Sequence, residues 1–152
     1  MREPGTGFQM VATRSSRVRC ERVEPLHEEP LTLAKSILLV EDDIMIAMPM
    51  EMALQDAGCE VVCVLSGPDA ITELERRARD FTVLVTDIRL PGISGWEVAR
   101  RARELHPRIG IVYASGDSGM DWRNSGLPGS IFLQKPYGNE ELIRAAARAA
   151  WD

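Results

Sequence analysis

The pattern of apolar and polar positions changes near residue 35. Beyond that point, five short apolar runs rich in valine and isoleucine recur without polar alternation, as is typical of strands buried on both faces. The runs are Ile37–Val40, Val61–Leu65, Phe81–Thr86, Ile109–Ala114 and Ile131–Leu133. Segments with helical periodicity separate them. This alternation predicts an α/β fold in which helices cover both faces of one parallel sheet.

Three of the intervening segments place their apolar side chains on one helical face. These segments are 68–79, 96–105 and 140–151. The first helical segment, 43–57, contains Pro49, which removes a hydrogen bond and crowds the preceding turn. That helix is therefore expected either to kink there or to be regular only from about Pro49. The stretch 116–129 is rich in Gly, Ser and Asp, so the fourth helix should be short and weakly formed.

The first 35 residues show little periodic apolar pattern and contain three prolines. They offer too little apolar surface to offset an ordering cost of about 1–2 kcal/mol per residue. We therefore expect a flexible extension at 1–35 and a folded domain at 36–152. Met10 is an alternative start of the chain.

Composition narrows the class of protein. A chain of 152 residues is about one domain, and its net charge of -5 disfavours non-specific contact with nucleic acid. Three cysteines without a CxxC motif and two histidines argue against a zinc cluster or a disulfide framework. No apolar stretch approaches the roughly 18 residues of a membrane span, and no apolar signal segment follows the N-terminus. We expect a cytoplasmic protein with no nucleic-acid or membrane partner.

Polar side chains gather where the predicted strands end, and ligands of parallel α/β sheets bind at that edge. These residues are Glu41, Asp42, Asp43, Asp87, Ser115 and Lys135. Clustered carboxylates repel one another, and Mg2+ relieves that repulsion through oxygen ligands. A lysine provides a point charge for a phosphoryl group, and a carboxylate can act as its nucleophile. The pattern therefore predicts a phosphoryl-transfer site.

Four motifs at these strand ends resemble a bacterial response-regulator receiver domain over about residues 36–150. They are ILLVEDD at 37–43, TDIRLPGISG at 86–95, YASG at 113–116 and FLQKP at 132–136. Each motif alone is weak, whereas the ordered set is specific. Several stretches are also similar to stand-alone receivers of alphaproteobacteria. The resemblance implies a flavodoxin-like, doubly wound, five-stranded parallel sheet of strand order 2-1-3-4-5 with five helices.

The resemblance also implies a metal site. Asp87 matches the phospho-accepting aspartate, and Asp42 matches the direct Mg2+ ligand. Glu41, which stands where many receivers have aspartate, is expected to orient a metal-bound water. The main-chain carbonyl of Arg89 matches the third protein ligand. Asp43 is then left to cap the first helix.

Three further residues match the receiver's phosphoryl-binding and switch positions. Ser115 and Lys135 are expected to bind the phosphoryl group, and Phe132 matches the aromatic rotamer switch. Phe132 is also readily explained as a core aromatic residue. Gly116 replaces a frequent alanine and leaves more room above the phosphoryl group. Trp122 is interpreted equally well as a docking anchor or as a local packing residue.

The implied function is that of a stand-alone receiver in a two-component phosphorelay, because no output domain is predicted before the chain ends at Asp152. A histidine kinase or phosphotransfer protein would phosphorylate Asp87 with Mg2+. Phosphorylation would switch the face formed by the fourth helix, fifth strand and fifth helix toward a downstream protein that the sequence does not identify. A phosphorylation-dependent dimer is compatible with this scheme. No enzymatic activity is expected beyond self-phosphorylation and self-dephosphorylation.

Two enzyme classes are alternatives. Mg2+-dependent aspartyl-phosphate phosphatases have a DxDx[TV] motif at the nucleophile. Here Ile-Arg-Leu follows Asp87, so the second acid is absent, and the sequence shows no cap insertion that would bind a substrate. The segment Gly116–Gly119 matches the GDSG of trypsin-like proteases, which need two β-barrels and a catalytic histidine. Of the two histidines, His27 lies in the extension and His106 precedes a proline in a predicted loop. Neither histidine is placed as a protease would require, so the GDSG match does not indicate a protease.

Overall fold

The computed structural model describes residues 8–13, 17–22, 35–117 and 119–150. The chain divides into two compact units, Met1–Leu33 and Ala34–Asp152. In the first unit, strands Phe8–Thr13 and Arg17–Arg22 pair antiparallel, with Phe8 opposite Arg22. The sequence pattern predicts no strand there, because charged residues interrupt the apolar periodicity on which a strand prediction depends. The flexibility of 1–35 stays a prediction.

The second unit contains a five-stranded parallel sheet. Its strands are β1 (Ser36–Val40), β2 (Glu60–Val64), β3 (Val83–Asp87), β4 (Gly110–Ser115) and β5 (Ile131–Gln134). Their spatial order is β2-β1-β3-β4-β5, and every neighbouring pair is parallel. The predicted fold class and strand order are therefore confirmed.

Five α-helices connect and flank the strands, with a short 3₁₀ turn at Ala78–Asp80. They are α1 (Ile44–Asp56), α2 (Gly67–Arg77), α3 (Gly95–Leu105), α4 (Met120–Ser125) and α5 (Asn139–Ala150). Among the described residues, no helix has the length and apolar character needed to cross a bilayer.

The apolar core lies on both faces of the sheet because successive strand residues point to opposite sides. On one face, Leu38 and Leu84 pack with residues of α2 and α3. On the other face, Ile37 and Val83 pack with residues of α1 and α5, including Leu142. Burial on both faces explains why the strands read as continuous apolar runs.

Helix α1 is assigned continuously from Ile44 to Asp56 and runs through Pro49. The expectation that its regular part begins near Pro49 is therefore wrong. Asp43 starts the helix well before that proline, since its Oδ1 accepts a hydrogen bond from the Met45 N–H at 2.9 Å. Pro49 removes one main-chain donor on an exposed side of the helix. That loss is small beside the packing of Met50 and Leu54 in the core.

Helix α4 is short, as the sequence indicated, and no side chain of the described residues caps its start. Trp122 anchors it locally: the indole Nε1–H donates to Ser130 Oγ at 2.9 Å, and the ring stacks on Phe132 at a centroid distance of 5.8 Å. A Cβ on Gly126 would collide with the Trp122 ring, so glycine is required where the helix ends. Trp122 is thus observed in the local packing role, one of the two that its sequence context left open.

Candidate phosphoryl-transfer site

The parallel register brings the ends of β3, β4 and β5 side by side. Asp87, the last residue of β3, pairs with Ala114, and Ser115 follows it as the end of β4. The Lys135 N–H donates to the Ser115 carbonyl at 2.8 Å, which places Lys135 next to Ser115. The Lys135–Pro136 peptide is cis. The polar residues predicted at these strand ends therefore do meet at one edge.

Three carboxylates form the centre of this edge. One oxygen from each of Glu41, Asp42 and Asp87 lies within 4.8 Å of the others. Glu41 and Asp87 are buried, with 2% and 8% of their surface exposed, whereas Asp42 is exposed. The cluster is thus closed toward the core and open toward solvent. Hard oxygen donors at this spacing, with one open side, fit Mg2+, which keeps several of its waters.

Lys135 is the cation of the site. Its Nζ lies 3.1 Å from Glu41 Oε1 and 3.5 Å from Asp87 Oδ2. Three carboxylates and one ammonium leave two negative charges, which a divalent cation would balance.

Burial raises the pKa of Asp87, and the Asp42 carboxylate adds to the rise, while Lys135 partly opposes it. Burial likewise raises the pKa of Glu41, against the opposing effects of the Asp43 N–H and of Lys135. For Lys135, burial favours a lower pKa, but Asp87 and Glu41 outweigh it and raise the pKa. The environment thus disfavours the anionic form of the two buried carboxylates, which additional positive charge would relieve.

Glu41 is held at both of its oxygens. Oε1 meets Lys135, and Oε2 accepts a hydrogen bond from the Asp43 N–H at 3.1 Å. Asp43 itself caps α1, as the sequence indicated. The longer Glu41 side chain is therefore oriented before any ligand arrives. Its role toward a metal-bound water stays a prediction.

Ser115 faces the site from the end of β4 and is 3% exposed. Its Oγ accepts a hydrogen bond from the Asp117 N–H at 3.0 Å. Asp117 also forms an ion pair with the Arg89 side chain, beside a cleft of about 330 Å³ that Trp96 and Ser115 help to line. The sequence motif pointed only to the main-chain carbonyl of Arg89. Arg89 and Asp117 each lie two residues after a strand-end residue of the site, and their opposite charges are the sequence signal that would have predicted the ion pair.

Phe132 lies on β5, half-buried against α4. Its ring stacks on Trp122 of α4, while its role as a rotamer switch stays a prediction. Tyr113, which sequence reasoning did not single out, is fully buried and has its ring 4.8 Å from that of Trp96. The Tyr113 hydroxyl accepts a hydrogen bond from the Leu127 N–H at 3.3 Å. The Tyr113 ring thus connects β4 to α3, and its hydroxyl connects β4 to the segment after α4.

Large apolar side chains are exposed along α1, next to the acidic edge. They are Ile44, Met45, Ile46, Met48 and Met52, of which Met45 is 75% exposed. A groove of about 360 Å³ lies between α1 and the segment 135–139. The Tyr137 hydroxyl donates to Met50 Sδ at 3.2 Å and connects the two walls. An apolar surface of this kind beside a reactive site is typical of a protein-binding site.

The chain thus combines a parallel five-stranded sheet with acids, a lysine and a hydroxyl at the carboxyl edge of that sheet. Residues 37–147 match the family model described as the response regulator receiver domain. The chain belongs to that family. The resemblance seen in the four motifs is therefore confirmed.

The chain is 35% identical over 122 residues to the sensory transduction protein RegX3 of Mycolicibacterium smegmatis, covering 77% of this chain and 52% of that protein. It thus spans about half the length of the curated relatives that it matches first. A solved response regulator receiver protein from Sinorhizobium medicae has 41% identity and a TM-score of 0.73, with 77% of this chain and 94% of that chain covered.

A second solved structure, with 27% identity and a TM-score of 0.68, is the receiver domain of a sensor histidine kinase from Pseudomonas aeruginosa. The match covers 79% of this chain and 100% of that one. That structure has a magnesium ion coordinated in its active-site cleft.

Proposed function

We propose that this receiver accepts a phosphoryl group on Asp87 from a histidine kinase or phosphotransfer protein, with Mg2+ bound by the acidic cluster. The observation that carries the proposal is the meeting of Glu41, Asp42 and Asp87 within 4.8 Å, with Lys135 reaching two of them. The magnesium-bound cleft of the Pseudomonas aeruginosa receiver supports it. We place the protein in the cytoplasm, where two-component phosphorelays operate.

Each residue has a distinct part in this chemistry. An Asp87 oxygen attacks phosphorus, the bond from phosphorus to the donor nitrogen breaks, and an acyl phosphate forms on Asp87. Mg2+ would be held by Asp42, Asp87 and the Arg89 carbonyl, and would neutralise charge on the transferred group. Glu41 would orient a metal-bound water. Lys135 and the Ser115 hydroxyl would bind phosphoryl oxygens after transfer.

The phosphodonor protein is expected to dock on α1. The exposed apolar side chains of that helix adjoin the edge where Asp87 lies, and the groove beside Lys135 continues the same surface. A partner helix with an apolar face could bury them while presenting its histidine to the acidic cluster. Mutating Met45 to Asp should therefore slow transfer from a protein donor while leaving transfer from acetyl phosphate unchanged.

The output surface is expected on the other side of the site, at α4, β5 and α5. The Phe132 and Trp122 rings join β5 to α4 there, so a change at Ser115 can reach α4 through neighbouring side chains. A phosphorylation-dependent dimer through this face is compatible with the arrangement. In this proposal the receiver acts as a stand-alone protein, and its output is protein–protein contact through this face.

The phosphatase alternative is not supported. Its second acid would stand two residues after the nucleophile, where this chain has Arg89. Arg89 instead pairs with Asp117. Family membership favours signalling, with self-phosphorylation and self-dephosphorylation as the expected chemistry.

Mass spectrometry after incubation with acetyl phosphate and Mg2+ tests the proposal. The wild type should gain one phosphoryl group, and Asp87→Asn should gain none. Asp43→Asn is the matched control, because Asn caps a helix about as well as Asp and this position lies outside the proposed ligand set. Equal phosphorylation of Asp87→Asn and the wild type would disprove the assignment. Hydrolysis of general phosphate esters by the wild type would support the phosphatase instead.

A further inference from the structure

The Arg89–Asp117 ion pair is connected to the site at both ends. Arg89 is two residues beyond Asp87, and its main chain lowers the pKa of the Asp87 carboxyl; the Asp117 N–H donates to Ser115 Oγ at 3.0 Å. Both Nε and Nη2 of Arg89 meet the same oxygen of Asp117. The pair therefore bridges the loops after β3 and β4, directly beyond the proposed phospho-acceptor and its hydroxyl partner.

The bridge is exposed, with 71% of the Arg89 side chain and 50% of the Asp117 side chain accessible. An exposed ion pair shifts an equilibrium by up to about fivefold and is weakened by salt. An ion pair this weak can break when a stronger partner for Arg89 becomes available. Asp117 precedes α4, at whose start the described residues provide no side-chain cap.

A phosphoryl group on Asp87 would compete with Asp117 for the Arg89 guanidinium. A phosphorylated side chain carries roughly one and a half to two negative charges at neutral pH, against one for the Asp117 carboxylate. The planar array of N–H donors on a guanidinium suits Arg89 to bind phosphoryl oxygens, which accept such donors in pairs. Arg89 is only two residues from Asp87 along the chain, so a phosphoryl group on Asp87 would lie close to the Arg89 side chain.

We propose that Arg89 is a partner-exchanging residue: it holds Asp117 in the unphosphorylated protein and transfers its guanidinium to the phosphoryl group on Asp87. The transfer releases Asp117 and, with it, the restraint that the ion pair places on the chain before α4. Arg89 is then a positioning residue for the phosphoryl group, and Asp117 is its competitor. The inference rests on the proposed function, since it requires a phosphoryl group on Asp87.

The two halves of the pair have opposite effects in this scheme. Arg89→Gln removes a phosphoryl ligand and should weaken the binding of beryllofluoride, a phosphoryl mimic, in the presence of Mg2+. Asp117→Asn removes the competitor and should tighten that binding. Each change should be up to about fivefold at low salt and should shrink as ionic strength rises. If the pair were only a structural brace, both variants would change the affinity in the same direction.

Hydrogen exchange in the metal-free protein tests the unphosphorylated state separately. Both variants should increase hydrogen exchange of the main-chain amide at position 117 and of the amides in α4, again by up to about fivefold. Glu140→Gln is the matched control, because it removes an acid from an exposed ion pair with Arg144 on α5. It should change neither measurement. Circular dichroism should show that all three variants fold, since the replaced side chains are exposed.

The outcomes distinguish the inference from the function on which it rests. If the wild type binds beryllofluoride and the two variants shift affinity in the same direction or not at all, partner exchange is wrong. If metal-free exchange is unchanged in both variants, Asp117 is not restrained by Arg89. If the wild type does not bind beryllofluoride with Mg2+, the proposed function itself fails, whatever the hydrogen-exchange result.

Discussion

Replacing the proposed phospho-acceptor should stabilise the metal-free protein. Asp87 is buried beside Glu41 and Asp42, and its pKa is raised mainly by burial. A raised carboxyl pKa means that the fold prefers the neutral form, and the Asp87→Asn change supplies a neutral side chain of the same shape. The pKa of Asp87 is raised even though Lys135, 3.5 Å away, favours the charged form, so the loss of this contact in Asp87→Asn does not reverse the expected gain in stability.

The size of the effect follows from linkage. Because folding raises the pKa of Asp87, ionisation of this group lowers the free energy of unfolding of the wild type. A domain of about 115 residues unfolds with an entropy of about 0.24 kcal/mol/K near its Tm. Each 1 kcal/mol of stability that Asp87→Asn gains should therefore raise Tm by about 4 °C.

The pH dependence has a definite sign. The ordinary pKa of an aspartate side chain, which Asp87 has in the unfolded state, is 3.8. Well below that pH, Asp87 is protonated in both the folded and unfolded states, so Asp and Asn should be equivalent. As pH rises from 3.8 through the higher folded pKa, the wild type loses stability relative to Asp87→Asn. Above the folded pKa the difference should be constant.

Thermal unfolding in EDTA and in Mg2+, from acidic pH to slightly alkaline pH, measures the prediction. Mg2+ at about 100 times its dissociation constant should add about 2.7 kcal/mol to the free energy of unfolding of the wild type and less to that of Asp87→Asn. The difference in stability between the two proteins should therefore narrow or change sign. Asp43→Asn should leave Tm unchanged in both buffers. An Asp87→Asn variant that is less stable than the wild type in EDTA at neutral pH would refute the electrostatic reasoning.

Three other predictions concern the elements around the site. In a Mg2+ titration followed by NMR, Asp42→Ala should lose the metal, whereas Asp43→Ala should retain it and lose about 0.5–2 kcal/mol of stability with the helix cap. Trp122→Phe should cost about 1 kcal/mol by removing the hydrogen bond to Ser130, and hydrogen exchange in α4 should rise while exchange in the central strands does not. A chain beginning at Leu33 should keep the Tm and phosphotransfer rate of the full chain, and a loss of several degrees would show that the extension packs on the domain.

The fold could be predicted largely from sequence because burial on both faces leaves a direct trace in the strands. Five apolar runs coincide with β1–β5, and the three amphipathic segments coincide with α2, α3 and α5. The parallel register follows from the alternation of helix and strand. The strand order came from family resemblance, since periodicity alone does not determine which strands are neighbours.

Two elements were harder to predict, for different physical reasons. The strand pair at 8–22 lacks a regular apolar pattern, so pairing there has no sequence signal of the kind that buried strands carry. For Pro49, sequence predicts the lost hydrogen bond but not the compensating core contacts of Met50 and Leu54. Those contacts come from residues on α5 and the sheet that are distant along the chain.

The site divides in the same way. Sequence alone determined which polar residues stand at strand ends, because a chain leaving a buried parallel strand emerges at the ligand-binding edge. Only the tertiary structure decided that Lys135 reaches both Glu41 and Asp87, that Arg89 pairs with Asp117, and that α1 exposes three of its four methionines. These features join segments far apart in sequence. Their geometry depends on how strands and loops pack together, and no local pattern of residues records that packing.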